Sequence, residues 1–393
     1  MPRWYENLLR FGARSSSQLA KLMPGGEKMQ TKPHELYMVM PELSGGGAER
    51  VAVALANQMV VDGHDFTFLI TKDKTCVYDL NPNVEVRLIC PQEKNGPFEQ
   101  IRAIRREMKQ HPDSTFMSFL SNQNLLLLLA SLGLPNRAVV SSRNFPSVDF
   151  NGRRALFPLR DWLYSSRADV VVFQTEQQAL CFPRGVQRKG LVIENPLSDG
   201  LPKMVPFSKR RHVLAASGRL AEQKNYPMML RVFERVHKVF PEYRLEIYGK
   251  GDLLDELRQL ADSLGVLQSV DFMGFRKDAV QMISTASVNL MTSDWEGLSN
   301  SLIEALAMGV PTVCTRCAGG GAEAVIEDGV NGFLVDCGDV DAMSDRVLAI
   351  LEEPGLCERL ASEATKINER LSIDVIARKW ESVIFPSGDA CGE

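Results

Sequence analysis

Residues 287–312, SVNLMTSDWEGLSNSLIEALAMGVPT, carry the pattern that decides how this chain folds. The run from Ser287 to Met291 is apolar and reads as a buried strand. Asp294, Trp295, Glu296 and Gly297 turn the chain, and LSNSLIEALAM then has helix-forming residues at helical spacing. Gly309 and Pro311 stop the helix where a C-cap glycine and a following proline usually do. This reading puts Glu296 just before a helix N-terminus, among the free N–H groups of residues 297–300. Glu304 lies further along, flanked by Leu302, Ile303, Ala305 and Leu306, and a carboxylate in so apolar a helix must find donors or face a cleft. Two carboxylates to grip hydroxyls, with amide donors between them, suit a sugar joined to a phosphate.

The same strand–turn–helix alternation runs outward in both directions. Upstream, ELYMVMP is strand-like, SGGGAER is a glycine turn and VAVALANQMVVDG is a helix ending at Gly63. FTFLI, VEVRLI, a basic helix near 98–110, STFMSFL, a helix at 124–132, AVVSS, a helix near 153–166, DVVVFQ, a short helix and LVIEN complete a first set. Residues 196–211 carry prolines, a glycine and a basic run without periodicity, and read as a linker. The alternation restarts with HVLAASG, a helix at 226–240, RLEIYG, a helix at 253–264, SVDFMG and a helix at 278–284. After the central stretch come PTVC, GFLVD and helices over 339–353 and 355–369. Unbroken apolar strands alternating with helices argue for an α/β chain of two doubly wound, Rossmann-like parallel sheets facing across a cleft. The expected division is an appendage at 1–31, a first domain at 32–195, a linker at 196–211 and a second domain at 212–371. A last helix, 372–385, is expected to cross back to the first domain.

Length and composition agree with two domains. The chain has 393 residues, 45% hydrophobic and 24% charged, with net charge −4. No window approaches the ~18 consecutive apolar residues of a membrane span, and 125–134 reads as a core helix. No hydrophobic signal-peptide core precedes the first strand, which argues against secretion. The leader, with Trp4, Leu8 and Phe11 among Arg3, Arg10 and Arg14, reads as an interfacial helix, a disordered segment, or residues ahead of a true start at Met29. Eight scattered cysteines look like reduced thiols, and the single C-x-x-C of Cys314 and Cys317 reads as a loop. Five scattered histidines show no ligand spacing. Residues 1–195 hold 24 Lys/Arg against 19 Asp/Glu, and the remainder 21 against 30. The basic half either meets an anionic partner or is an ordinary solvated face.

Chemistry-bearing residues gather in loops that follow strands. SGRLAEQKN supplies Gly218, Arg219 and Lys224, a planar fork and a point charge that together suit a diphosphate. YGKGD places Gly249 where a backbone approaches closely. MGF offers Phe275 beside a base, or a turn with a core ring. Glu323, in a further glycine loop, is either a site carboxylate or a helix cap. In the first half, SGGG runs from strand to helix in the phosphate-cradling position. It lacks the third glycine of a dinucleotide fingerprint, and no acidic residue clearly ends the next strand. Neither a G-x-x-x-x-G-K-[ST] loop nor a G-x-S-x-G elbow occurs, which disfavours a P-loop NTPase and an α/β-hydrolase.

The order GGGAER, SGRLAEQKN, YGKGD, GF, SDWEGLSNSLIEALAMGVP and EDGVNGFLV resembles the retaining family-4 glycosyltransferases of the GT-B fold, of the kind that builds bacterial cell-surface glycans. The likeness runs from about residue 35 to 380. It implies that Glu296, Gly297 and Leu298 hold the transferred sugar, with Glu304 on the ribose hydroxyls and Ser299 among the donor-binding residues. Arg219 and Lys224 match the pair that neutralises the leaving diphosphate, and Gly46 the first-domain glycine beside it. The resemblance implies no metal and no separate cofactor. Where many members carry a histidine this chain reads SFLSNQN, so Ser121 or Asn122 stands in, and Arg143 and Asn144 of the S-x-R-N turn face the acceptor.

The expected reaction is transfer of a hexose or N-acetylhexosamine from a nucleotide sugar, by family frequency a UDP-sugar, to a lipid-linked, lipopolysaccharide or capsule glycan. A nucleotide-sugar epimerase of the same fold, or a noncatalytic sugar-nucleotide-binding protein, is the alternative. On the helix QIRAIRREMKQ, Arg102, Arg105, Arg106 and Lys109 lie largely on one face opposite Ile101, Ile104 and Met108. That face is either a plain solvated one or a contact with anionic lipid, to which Arg153, Arg154 and Arg160 add. The second reading expects a cytoplasmic enzyme, peripheral on the inner face of the membrane. No nucleic-acid partner is expected.

Overall fold

The structure is a computed structural model that describes residues 35–90 and 96–385. The leader read over 1–31 lies outside the described residues. The chain divides into two compact units, one running to Pro196 and resuming at Ile373, the other spanning Leu197–Ser372.

In the first unit, β1 (Glu35–Leu43) is buried on both faces from Leu36 to Met40, as a central parallel strand must be. Gly45 adopts a left-handed φ of 125°, and α1 (Gly47–Val61) begins with Gly46 as its N-cap. Then follow β2 (Asp65–Cys76), β3 (Glu85–Leu88), α2 (Pro97–Gln110), β4 (Thr115–Phe119), α3 (Ser121–Ala130) and β5 (Arg137–Ser141). The helix expected near 153–166 starts only at Phe157, because two 3-10 turns (Pro146–Gly152 and Arg154–Leu156) occupy the preceding residues. The unit continues with α4 (Phe157–Ser166), β6 (Val170–Phe173), α5 (Glu176–Leu180), α6 (Arg184–Gln187) and β7 (Gly190–Val192). All strands pair in parallel, in the order β3-β2-β1-β4-β5-β6-β7.

The second unit repeats the plan. It comprises β8 (Arg211–Ser217), α7 (Tyr226–Val239), β9 (Arg244–Tyr248), α8 (Leu254–Ser263), β10 (Val270–Gly274), α9 (Ala279–Ser284) and β11 (Ala286–Met291). After these come α10 (Asn300–Ala307), β12 (Thr312–Arg316), β13 (Phe333–Asp336), α11 (Val340–Glu352), α12 (Pro354–Thr365) and α13 (Ile367–Leu371). The parallel order is β10-β9-β8-β11-β12-β13. Within residues 196–211, the buried Arg210 donates to the carbonyls of Ala286 (2.9 Å) and Gly309 (2.6 Å), and Phe207 packs on the core. The chain thus holds two parallel-sheet α/β domains.

The final helix, α14 (Ile373–Ile384), belongs to the first unit. Ile376, Ala377, Trp380, Val383 and Ile384 form its buried stripe. Arg137 and Thr115 donate to the carbonyls of Val383 and Ile384, and Lys379 pairs with Glu194 at 2.9 Å. Trp380 is fully buried against Phe119.

Candidate active site

Strand order reverses in the second unit between β8 and β11, which are hydrogen-bonded neighbours whose continuations lie on opposite sides. At such a switch point the loops leaving two adjacent carboxyl ends diverge and leave a crevice. The loop after β8 carries Gly218, Arg219 and Lys224, and the loop after β11 carries Glu296. Lys224 Nζ makes an ion pair with Glu296 Oε1, and both side chains are largely withdrawn from water. Ser293 Oγ donates to the same carboxylate oxygen at 3.3 Å.

Several contacts brace this pair from beneath. Asn225, in a left-handed turn, caps α7 by accepting from the Met228 amide, and its Nδ2 donates to Asp294 Oδ1 at 3.0 Å. Thr292 Oγ1 donates to the carbonyls of Lys224 and Asn225, and Gln223 Nε2 to the carbonyl of Trp295. The Asp294 amide returns a bond to the Gln223 carbonyl. Two loops far apart in sequence are therefore laced into one platform.

The glycines make that platform thin. Gly249 has a φ of 153°, and a Cβ there would sit 1.9 Å from the Gly218 carbonyl oxygen. Gly321 likewise allows the Gly297 carbonyl to approach to where a Cβ would stand. Tyr226 donates its hydroxyl to Gly218 O at 3.0 Å; burial, with the Glu296 charge, raises its pKa well above the usual phenol range. Arg219 is exposed and makes no side-chain hydrogen bond or ion pair among the described residues. Phe275 is 72% exposed, on the loop whose Gly274 carbonyl accepts from the Gly249 amide.

One expectation needs correction. The central helix starts at Asn300 with Ser299 as its N-cap, so its free amides begin at Asn300 and do not flank Glu296. The reason is tertiary: Trp295 bridges to Ala318, and the Glu296 amide donates to the Ala318 carbonyl at 2.9 Å. That pairing ties Trp295 and Glu296 to Ala318 ahead of the helix. Leu298 is buried, and Ser299 shares a hydroxyl contact with Ser301. Glu304 is buried in α10 and accepts from Ser198 Oγ at 2.7 Å. Ser198, from an aperiodic run, gave no sequence signal. Glu323 is exposed on a turn.

In the first unit, the Gly46 carbonyl accepts from Tyr78 at 2.9 Å. Two expected acceptor residues have buried side chains with partners inside the first unit. Ser121 is buried and donates to Asp149 Oδ1 at 2.5 Å, and Asp149 also pairs with the buried Arg160 at 2.8 Å. Burial pushes the Asp149 carboxyl up, against that hydrogen bond and the Arg160 charge. Arg143 is buried between the rings of Phe119 and Trp380, with Nη1 donating to Asn195 Oδ1 at 2.6 Å. Burial pulls its pKa down to about 9, which leaves it charged at neutral pH. Asn122 and Asn144 are exposed.

The basic helix is also corrected in part. Ile104 and Met108 lie in the core, so its apolar stripe is spent on the protein interior. Arg105 caps the end of α3, donating to the carbonyls of Ala130 and Leu132 at 2.7 Å each. Arg102, Arg106 and Lys109 stay exposed, as do Arg153 and Arg154, whereas Arg160 is buried. No helix among the described residues is long and apolar enough to cross a membrane. Among them, too, no three His, Cys, Asp or Glu residues gather as a metal-binding group.

Residues 201–367, nearly the whole second unit, match the family described as glycosyl transferases group 1. The second unit is a group 1 glycosyl transferase domain. This glycosyltransferase is 23% identical over 354 residues to an uncharacterized glycosyltransferase of Haemophilus influenzae, covering 88% of this chain and 99% of that one. It is 27% identical over 365 residues to an enzyme of Campylobacter jejuni, over 89% of this chain and 98% of the relative. That enzyme is named as an alpha-1,4-N-acetyl-D-galactosaminyltransferase acting on a GalNAc-containing diNAcBac-PP-undecaprenol. The crystal structure of HepE from Anabaena in complex with UDP matches the glycosyltransferase with a TM-score of 0.74 at 19% identity, over 89% of this chain and 99% of HepE. The fold is that of the GT-B glycosyltransferases.

Proposed function

We propose that this glycosyltransferase moves a hexose or N-acetylhexosamine from a UDP-sugar, with retention and without a metal ion, to a lipid-linked, lipopolysaccharide or capsule glycan. The observation that carries the proposal is the Lys224–Glu296 pair at the switch point of the second unit, with Glu304 on the helix that follows. Donor binding exchanges partners: the diphosphate takes the Lys224 ammonium, and Glu296 turns to the sugar hydroxyls. Arg219, exposed on the same loop, supplies the second cation. The two cations stabilise charge gathering on the departing nucleoside diphosphate, the largest electrostatic demand of the reaction. They occupy the role a divalent ion would otherwise fill. The acceptor hydroxyl attacks from the face the diphosphate leaves, and its proton passes to that phosphate.

Relatives support the substrate classes. HepE has been crystallised with UDP and with UDP-glucose, and the Campylobacter enzyme is named for a polyprenyl-diphosphate-linked glycan. Gly46, Asn122 and Asn144 are the first-unit residues left for donor and acceptor contacts. A cytoplasmic enzyme resting on anionic lipid through Arg102, Arg106 and Lys109 fits such an acceptor.

Thermal unfolding in the presence of UDP-, GDP- and ADP-sugars tests the donor reading. A UDP-sugar at about 100 times its Kd stabilises the protein by about 2.7 kcal/mol. Equal melting temperatures with every nucleotide sugar, and without any, contradict it.

A further inference from the structure

Glu304 sits on α10 between core residues Ile303, Ala305 and Leu306, and is itself only 5% exposed. A carboxylate in that setting must be aimed by whatever donates to it, because little water reaches it to compensate a wrong rotamer. Ser198 Oγ is such a donor, at 2.7 Å from Oε1. It lies 106 residues away in sequence, on the segment where the chain enters the second unit.

That segment is fastened immediately ahead of the serine. Leu197 is buried, and its amide donates to the Leu371 carbonyl at 2.8 Å. Two residues earlier, in the first unit, Asn195 Oδ1 accepts from Arg143 at 2.6 Å and from Gln174 at 2.8 Å. A serine on a free loop would contribute a fluctuating hydroxyl. Here the backbone is held, so the hydroxyl direction is set and the carboxylate plane with it.

We infer that Ser198 is a positioning residue for Glu304 and sets how strongly the site discriminates a ribose from a deoxyribose nucleotide. The inference rests on the proposed role of Glu304 as acceptor for the ribose hydroxyls. Ser198 fixes Oε1 of the carboxylate and with it the plane in which the group meets the vicinal diol. Without the serine the carboxylate loses one of the contacts that set its plane, and the bond to the 2′-hydroxyl weakens. A nucleotide lacking that hydroxyl keeps only the 3′-hydroxyl contact and loses less.

Calorimetric titration of the full chain with UDP and 2′-deoxy-UDP tests this, in wild type, Ser198→Ala, Ser198→Thr, Glu304→Gln and the Ser198→Ala/Glu304→Gln pair. The wild type is expected to prefer UDP, and Ser198→Ala to narrow that preference about fivefold to tenfold, the scale of one ordinary net hydrogen bond. Ser198→Thr, which keeps the hydroxyl, restores it. In the Glu304→Gln background, Ser198→Ala changes the ratio no further. Ser198→Ala that weakens both nucleotides equally, or neither, overturns the assignment while leaving Glu304 in place. A wild type that binds neither nucleotide, or a Glu304→Gln that discriminates as well as wild type, overturns the ribose reading itself and Ser198 with it. Melting temperatures without nucleotide separate these outcomes from misfolding.

Discussion

Lys224→Met keeps the length of the side chain and deletes its charge. In the unliganded protein Lys224 and Glu296 neutralise one another with side chains only 15% and 12% exposed. Removing the cation leaves Glu296 with the Ser293 hydroxyl at 3.3 Å on the same oxygen. Breaking a buried pair costs about 3–5 kcal/mol, and the residual exposure brings this to about 2–4. The catalytic loss is separate, because the cation proposed to stabilise the leaving diphosphate is gone. One such electrostatic group is worth about 100- to 1000-fold in turnover. The double variant Lys224→Met/Glu296→Gln removes both charges together, so stability returns toward wild type while turnover stays low. Urea unfolding and UDP release from the donor identified by the thermal screen measure the two effects side by side. Single-variant turnover within threefold of wild type, or recovery of turnover together with stability in the double variant, refutes the assignment.

Gly249→Ala places a methyl 1.9 Å from the Gly218 carbonyl, so the β8 and β9 loops must part; nucleotide affinity should fall at least about tenfold, with a stability loss of about 2 kcal/mol or more by calorimetry and urea melts. Arg143→Met is expected to cost about 1–2 kcal/mol of stability through lost ring stacking and the Asn195 bond, with the acceptor KM unchanged; a KM rise without destabilisation would restore Arg143 to the acceptor site. On liposomes rich in anionic lipid at low salt, Arg102→Glu/Arg106→Glu/Lys109→Glu should abolish flotation, each basic residue counting about 1 kcal/mol. Arg105→Ala should lower the melting temperature instead, and a wild type that never floats removes the membrane claim.

The parallel sheets were legible because their strands are continuous apolar runs, such as Leu36–Met40, that no single-faced strand would carry. Lys224 and Glu296 were legible as charges on loops after strands, since strand order alone brings those loops together. The start of α10 was not: helix propensity favours Leu298, and only the pairing of Trp295 with Ala318, across a loop invisible in local pattern, delays the helix to Asn300. The partners of Ser121 and Arg143 were hidden for a related reason. Polar residues after strands look like site residues, and nothing near either shows that Asp149 and Asn195 claim them. Ser198 had the opposite problem, standing in an aperiodic run while its partner lies on α10.

Proton NMR of slow donor hydrolysis in EDTA, using the α-linked UDP-sugar chosen by the thermal screen, bears most directly on the proposed chemistry. It needs no acceptor, and it reports anomeric outcome and metal dependence in one spectrum. The α-anomer of the free sugar should appear first in EDTA, at a rate lowered at least about 100-fold in Lys224→Met. First appearance of the β-anomer, or release that requires an added divalent ion, would contradict retention by a charge-paired, metal-free site.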